Sequence, residues 1–207
     1  MRAFVARHLE VTRAHGAATP IGLFHQFDEA PLDTPAQYLA HRLAKHIAQA
    51  ERALVRGIDV FEAQLQMACD FQLPALLHVR RSHAQVIATL KRYRPMRAGI
   101  IHAFAGSYEE AREYIKLGFR LGLGGAATWP QAVRLRRTVA RLPLDSVVLE
   151  TDAPDMAPVM HPGVRNSPEH LPDIAHSLAE SMGVPVEQLA EASTRNACEL
   201  FGWQALG

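Results

Sequence analysis

The chain has 207 residues, a length that fits one domain with room for a substantial core. Its 22 basic and 21 acidic residues nearly cancel. That excludes a bulk electrostatic case for a nucleic-acid or membrane partner, though local basic clusters are allowed. The two cysteines, Cys69 and Cys198, lie in no metal or redox spacing, so a disulfide scaffold is excluded. No apolar run approaches the ~20 residues of a membrane span. Met1 to His8 is broken by charge too early for a cleavable signal, and a cytoplasmic protein is expected.

Residues 1–57 read as an atypical, mainly helical segment. Ile21-Gly22-Leu23-Phe24 is its one strand-like stretch. Asp28 to Pro35 is a loop, and Tyr38 to Leu54 is helical, with Leu39, Leu43 and Ile47 on one face. From residue 58 to 207 the chain alternates regularly. A helix over Asp59 to Phe71 precedes a strand ending at His78. Ser82, with Gln85 three residues on, has the pattern of a capping box and opens a helix that Pro95 stops. A strand then runs to His102. Ser107 and Glu110 open the next helix, and Gly118 ends it as a left-handed cap. Phe119 to Gly125 is a third strand, and a helix from Pro130 closes at Arg141-Leu142-Pro143. Val147 to Leu149 is the fourth strand, followed by helices opened by Ser167-Pro168 and by Pro185. Four strand–helix units in sequence imply an α/β fold with a parallel sheet and right-handed crossovers.

The chemistry concentrates at the ends of these strands. His78, His102 and Asp152 each close a short apolar run, and the carboxyl ends of parallel strands share one face, where sites of such folds lie. Two imidazoles and a carboxylate suit a divalent cation such as Zn, Mn or Mg. A histidine ending a buried strand is also a common core group, bonded to a backbone carbonyl. Glu150, two residues before Asp152, faces the same side as a general base or outer acceptor, or as an ion-pair partner in the core. Arg80 and Arg81 follow His78 at a position that suits a phosphate clamp or a solvated loop. Arg134, Arg137 and Arg141 share a helix face that either tracks a nucleic-acid backbone or is merely solvated. His161 reads as a loop residue within reach of the site rim. The glycines Gly122, Gly124 and Gly125 read as points of close approach. Trp129, just past them, either stacks a base or covers the core.

Leu73-Pro74-Ala75-Leu76-Leu77-His78-Val79-Arg80-Arg81, Gly99-Ile100-Ile101-His102-Ala103-Phe104-Ala105-Gly106-Ser107 and Leu149-Glu150-Thr151-Asp152-Ala153-Pro154 resemble motifs of the TatD family. Arg165-Asn166-Ser167-Pro168 and Thr194-Arg195-Asn196-Ala197-Cys198-Glu199-Leu200-Phe201 resemble its late signatures. The resemblance spans about residues 58 to 203. It implies a (β/α)8 barrel of the TIM type and divalent-metal hydrolysis of phosphodiester bonds, typically in DNA. In that resemblance His78 and His102 hold one metal, and Asp152 holds the other and orients water. Two family features are absent. No His-x-His pair occurs, and Pro20 stands where a bridging glutamate would precede Ile21-Gly22-Leu23. The expectation is therefore a barrel incomplete or rewritten at its N-terminal side, short of the ~250 residues of a full one. Three functions follow: a deoxyribonuclease, a catalytically impaired truncated relative, or an amidohydrolase of small molecules. Open sheet edges in such a barrel also favour a homo-oligomer.

Overall fold

The computed structural model describes residues 21–22 and 54–203. The helix expected from Tyr38, the loop at Asp28 to Pro35 and most of the segment 1–57 lie outside those residues. Five strands run parallel in the order of the chain: β1 (Ile21–Gly22), β2 (Ala75–His78), β3 (Gly99–His102), β4 (Arg120–Leu123) and β5 (Val147–Leu149). Each neighbouring pair is linked by a crossover, and the sheet is not closed among the described residues. β1 pairs with β2 through Ile21 opposite Ala75 and Gly22 opposite Leu76. The strand-like stretch at Ile21 thus takes the place beside the His78 strand, and its Leu23 and Phe24 lie outside the described residues.

Helices alternate with the strands: α1 (Leu54–Asp70), α2 (His83–Tyr93), α3 (Tyr108–Lys116), α4 (Val133–Val139), α5 (Leu171–Met182) and α6 (Val186–Phe201). The architecture is α/β of the TIM-barrel type. No helix among the described residues is long and apolar enough to cross a membrane.

Side-chain alternation along the strands gives the sheet two faces. Leu77, Ile101, Leu121 and Val147 point outward into the main core, with Leu65, Leu90, Tyr114, Phe119, Ile174 and Leu178 from the surrounding helices. The opposite residues, Leu76, Ile100 and Val148, form a second cluster with Ala197, Leu200 and Phe201 of α6. His78, His102 and Glu150 stand two residues beyond Leu76, Ile100 and Val148. The last helix therefore packs beneath the face that carries the candidate site.

α6 also satisfies the free edge of β5. Ser193 Oγ accepts from Leu149 N at 2.8 Å, and Asn196 Nδ2 donates to Val147 O at 2.8 Å and Leu144 O at 2.7 Å. An edge of unpaired backbone groups is a template for association, and here a helix blunts it.

Some local signals behave as expected and others do not. Ser107 is extended at φ −76°, ψ 166°, and forms the full capping box with Glu110. Ser82 sits at φ −134°, ψ 20°, and its side chain caps nothing. An N-cap needs extended backbone to aim its oxygen at the first free N–H groups, and Ser82 lacks it. Gly118, just past α3, adopts φ +84° as expected of a left-handed cap. The helix expected from Pro130 begins only at Val133. Trp129 is extended, as a residue before proline must be, and Ala132 N donates back to Trp129 O at 3.0 Å before the α-helix starts. It ends at Val139, so Arg141 lies beyond it and stacks its guanidinium 3.6 Å from the centre of the Tyr108 ring. Ser167 opens a 3-10 turn, Pro168–His170, that leads into α5.

Candidate functional site

Parallel pairing in register sets His78 directly opposite His102, with ring centres 5.8 Å apart. β5 reaches the same level one strand further on, across β4. There Glu150 leaves the strand end with its backbone N–H still bonded to Leu123 O at 3.0 Å. Its side chain crosses over β4 to reach His102. Glu150 Oε2 lies 2.8 Å from His102 Nδ1, and Oε1 accepts from Ala103 N at 2.6 Å.

The crossing requires Gly122. A Cβ at that position would stand 2.3 Å from Glu150 Oε2 and 2.8 Å from its Cδ. The sequence reading of these glycines as sites of close approach acquires a definite cause: the space is filled by a carboxylate.

Asp152 reaches the other nitrogen of the same ring, with Oδ1 3.0 Å from His102 Nε2. It does so from a backbone conformation that non-glycine residues rarely adopt, φ +58°. Simple strand alternation would put Glu150 and Asp152 side by side. The turn after β5 instead brings them to opposite edges of one imidazole. All three side chains are half-buried.

Burial alone would lower the pKa of His102. The hydrogen bond to Glu150 and the charges of Glu150 and Asp152 outweigh it and raise the pKa above its ordinary value. Whenever the proton on Nδ1 is donated to Glu150, Nε2 is the atom left to bind a proton or a cation facing Asp152.

The remaining candidates lie on the loops that follow β2, β4 and β5. Arg80 and Arg81 are exposed on the loop after β2, Arg81 in the left-handed region at φ +57°. Beside Glu150 and Asp152 opens a shallow pocket lined by Ala103, Phe104, Gly124, Leu135 and Met156. His161 pairs with α5 instead, its Nε2 2.7 Å from Asp173 and its ring stacked on His170 at 3.9 Å. Trp129 donates its ring N–H to Ala157 O at 3.0 Å, which ties down the loop after Asp152. That contact takes the polar end of the indole and leaves the ring partly exposed.

One residue beside the site carried no assigned role in the sequence: Asn166 bonds the backbone on either side of Asp152. Thr128, at the far end of the same loop and away from the site, accepts from Val159 N at 2.9 Å. Asn166 stood within a recognised motif, but its partners lie 11 and 15 residues away and no local pattern points to them.

The donor chemistry fits a divalent cation. His78 and His102 supply imidazole nitrogens and Asp152 a carboxylate, a set suited to zinc or manganese. Among the described residues, no group of three or more His, Cys, Asp or Glu side chains is placed to hold a metal ion. The fit is therefore one of donor type.

Fold and site together define an α/β protein of TIM-barrel type, with imidazole and carboxylate groups gathered at the carboxyl ends of its strands. Residues 45–202 match the family described as TatD related DNase, and the chain belongs to that family. An uncharacterized metal-dependent hydrolase of Haemophilus influenzae is 38% identical over 141 residues, covering 68% of this chain and 54% of that protein. The Escherichia coli uncharacterized metal-dependent hydrolase YjjV is 34% identical, covering 87% of this chain and 73% of its own. The YjjV crystal structure superposes with a TM-score of 0.69 over 72% of this chain and 57% of that one. A protein of Erwinia amylovora named 3'-5' ssDNA/RNA exonuclease TatD is 36% identical over 70% of this chain and 58% of that protein. The chain thus spans between about half and three quarters of the length of these relatives.

Proposed function

We propose that this chain is a metal-dependent hydrolase of phosphodiester bonds in single-stranded nucleic acid, DNA in the first place. The observation that carries the reading is His102 held between Glu150 and Asp152, with His78 paired beside it. That arrangement presents ligand atoms of two kinds at the open end of the sheet. The name of the Erwinia relative supports nucleic acid as substrate, and the names of the other two support a metal.

In this reading His78, His102 and Asp152 hold one divalent ion, Mg, Mn or Zn. When bound, such an ion makes water a nucleophile at neutral pH and offsets charge developing on the phosphate oxygens. Glu150 orients the His102 ring through Nδ1, is itself held by the Ala103 N–H at its second oxygen, and serves as the general base in the same reading. Arg80 and Arg81, exposed beside His78, bind the phosphate. A pair of bridged metals would need ligands beyond this set.

The test is hydrolysis of single-stranded oligonucleotides by the full chain, with and without Mn2+, against a panel of small esters, amides and lactones. Cleavage that requires metal and disappears in Asp152→Ala is expected. Metal-dependent cleavage that survives this change would sink the mechanism. Activity on the small-molecule panel alone would move the chain to the amidohydrolase reading. No metal binding by the wild type would mark a catalytically impaired relative.

A further inference from the structure

We propose that Asn166 is the positioning residue of the Asp152 carboxylate. Its side chain locks the Thr151 to Asp155 turn in the geometry that aims Asp152 at His102. The proposal rests on the reading of Asp152 as a working carboxylate and adds a residue to that site.

Asn166 is only 3% exposed, and its side-chain amide and backbone N–H are all engaged. Nδ2 donates to Thr151 O and to Asp155 O, both at 2.6 Å. Its backbone N–H donates to Pro154 O at 2.9 Å. Oδ1 accepts from Ser167 N at 2.9 Å and faces His170 Nδ1 at 3.0 Å. Three carbonyls of one five-residue turn are therefore gathered by a single side chain and its own backbone. Asp155 N closes the turn on Asp152 O at 2.9 Å.

The turn requires this help. A non-glycine residue in the left-handed region is disfavoured by about 1–2 kcal/mol, and such conformations persist where the surroundings over-determine them. Asp152 is in that region, and its neighbours bury little: Thr151 to Pro154 are half-buried, and Asp155 and Met156 are exposed. Apolar packing does not hold the turn; Asn166 does.

Only asparagine meets the demand at this position. Aspartate would set a carboxylate oxygen against two carbonyl oxygens. Alanine would leave Thr151 O and Asp155 O without their donors. The Ser167 N–H, a fixed donor to Oδ1, selects the amide orientation that points Nδ2 at the turn. The far end of the same loop is anchored separately, through Thr128 to Val159 and Trp129 to Ala157. Releasing Asn166 thus frees the Asp152 end and leaves the loop attached.

The test compares Asn166→Ala, Asn166→Ser, Thr128→Val and Asp152→Asn in the full chain. Three readouts are used: Mn2+ affinity by calorimetry, amide hydrogen exchange of the metal-free protein, and the His102 ring signals by NMR. In Asn166→Ala, Mn2+ affinity is expected to fall about 10- to 100-fold, the range for loss of a group that orients a ligand. Faster exchange is expected to centre on residues 151–156, with His102 signals moving toward those of Asp152→Asn. Thr128→Val, which loosens only the far end, is expected to hold wild-type Mn2+ affinity.

Asn166→Ser keeps a small polar group and serves if the alanine variant does not fold, with a shift in the same direction. Wild-type Mn2+ affinity and unmoved His102 signals in the folded Asn166 variants would overturn the proposal. So would a loss of affinity no larger than that of Thr128→Val. If Asp152→Asn itself binds Mn2+ like the wild type, the metal reading of Asp152 falls. The positioning claim is then decided by exchange and His102 signals alone, and unchanged values overturn it too.

Discussion

The His102 imidazole meets the Asp152 carboxylate at 3.0 Å through Nε2, while its Nδ1 is held 2.8 Å from Glu150. A ring with a carboxylate at each nitrogen holds a proton strongly, and the pKa of His102 is raised accordingly despite its burial. In the metal-free protein this protonation stabilises the fold. The contribution is fully present below the unfolded pKa of ~6.5 and is lost as pH rises through the folded value.

A metal at His102 must displace that proton. Mn2+ affinity is therefore expected to rise by about tenfold per pH unit below the folded pKa of His102, then level off above it. Calorimetry in two buffers of different ionisation enthalpy reads the released proton directly. Affinity that stays flat from about pH 5 to about pH 8 would count against His102 as a ligand.

Gly122→Ala is a probe of Glu150 from the neighbouring strand. The new methyl would overlap the carboxylate, and Glu150 would have to leave His102. Overpacking of this kind costs about 1–3 kcal/mol, so melting shifts moderately. Metal-dependent hydrolysis is expected to fall by about tenfold or more. Wild-type turnover in Gly122→Ala would show that the contact between Glu150 and His102 is dispensable.

Two serines that look alike in sequence are expected to respond differently. Ser107→Ala removes a real cap and is expected to cost about 1 kcal/mol. Ser82→Ala removes no capping bond and is expected to stay within about 0.5 kcal/mol of the wild type. Urea denaturation of both variants checks the pair. Equal losses would contradict the difference in backbone geometry between the two caps.

The acid limb of stability should carry a signature of Glu110. Burial raises its pKa, but the hydrogen bonds with the Ser107 N–H and hydroxyl and the charges of His83 and Arg134 outweigh this and hold it below the usual value. A depressed carboxyl stabilises the fold above its unfolded pKa and loses that contribution as pH falls through the folded value. Glu110→Gln keeps an acceptor without the titration, so its melting temperature is expected to fall less steeply below about pH 4.5. Parallel acid profiles for the two proteins would remove Glu110 from the account.

Much of the architecture was legible without coordinates. Short apolar runs between helix-like segments marked β2 to β5, and strand period 2 placed His78 and His102 on one face. These features depend on local composition, which a linear pattern records. The ends of elements were less legible. The strand expected over Phe119 to Gly125 stops at Leu123, because its pairing with β5 ends where Leu123 meets Leu149. The capping box at Ser82 failed because residue types alone do not set the backbone angles of a cap.

The sequence by itself determined which residues could do chemistry: His78, His102, Glu150 and Asp152 at strand ends, with Arg80 and Arg81 beside them. The tertiary structure decided how they meet. One imidazole is gripped from both edges, the glutamate crosses an intervening strand through the space left by Gly122, and the aspartate is turned inward by an asparagine on a later segment. Such contacts join residues 11 to 50 positions apart. They arise from strand register and close packing rather than from local propensity, and register exists only once the strands are paired.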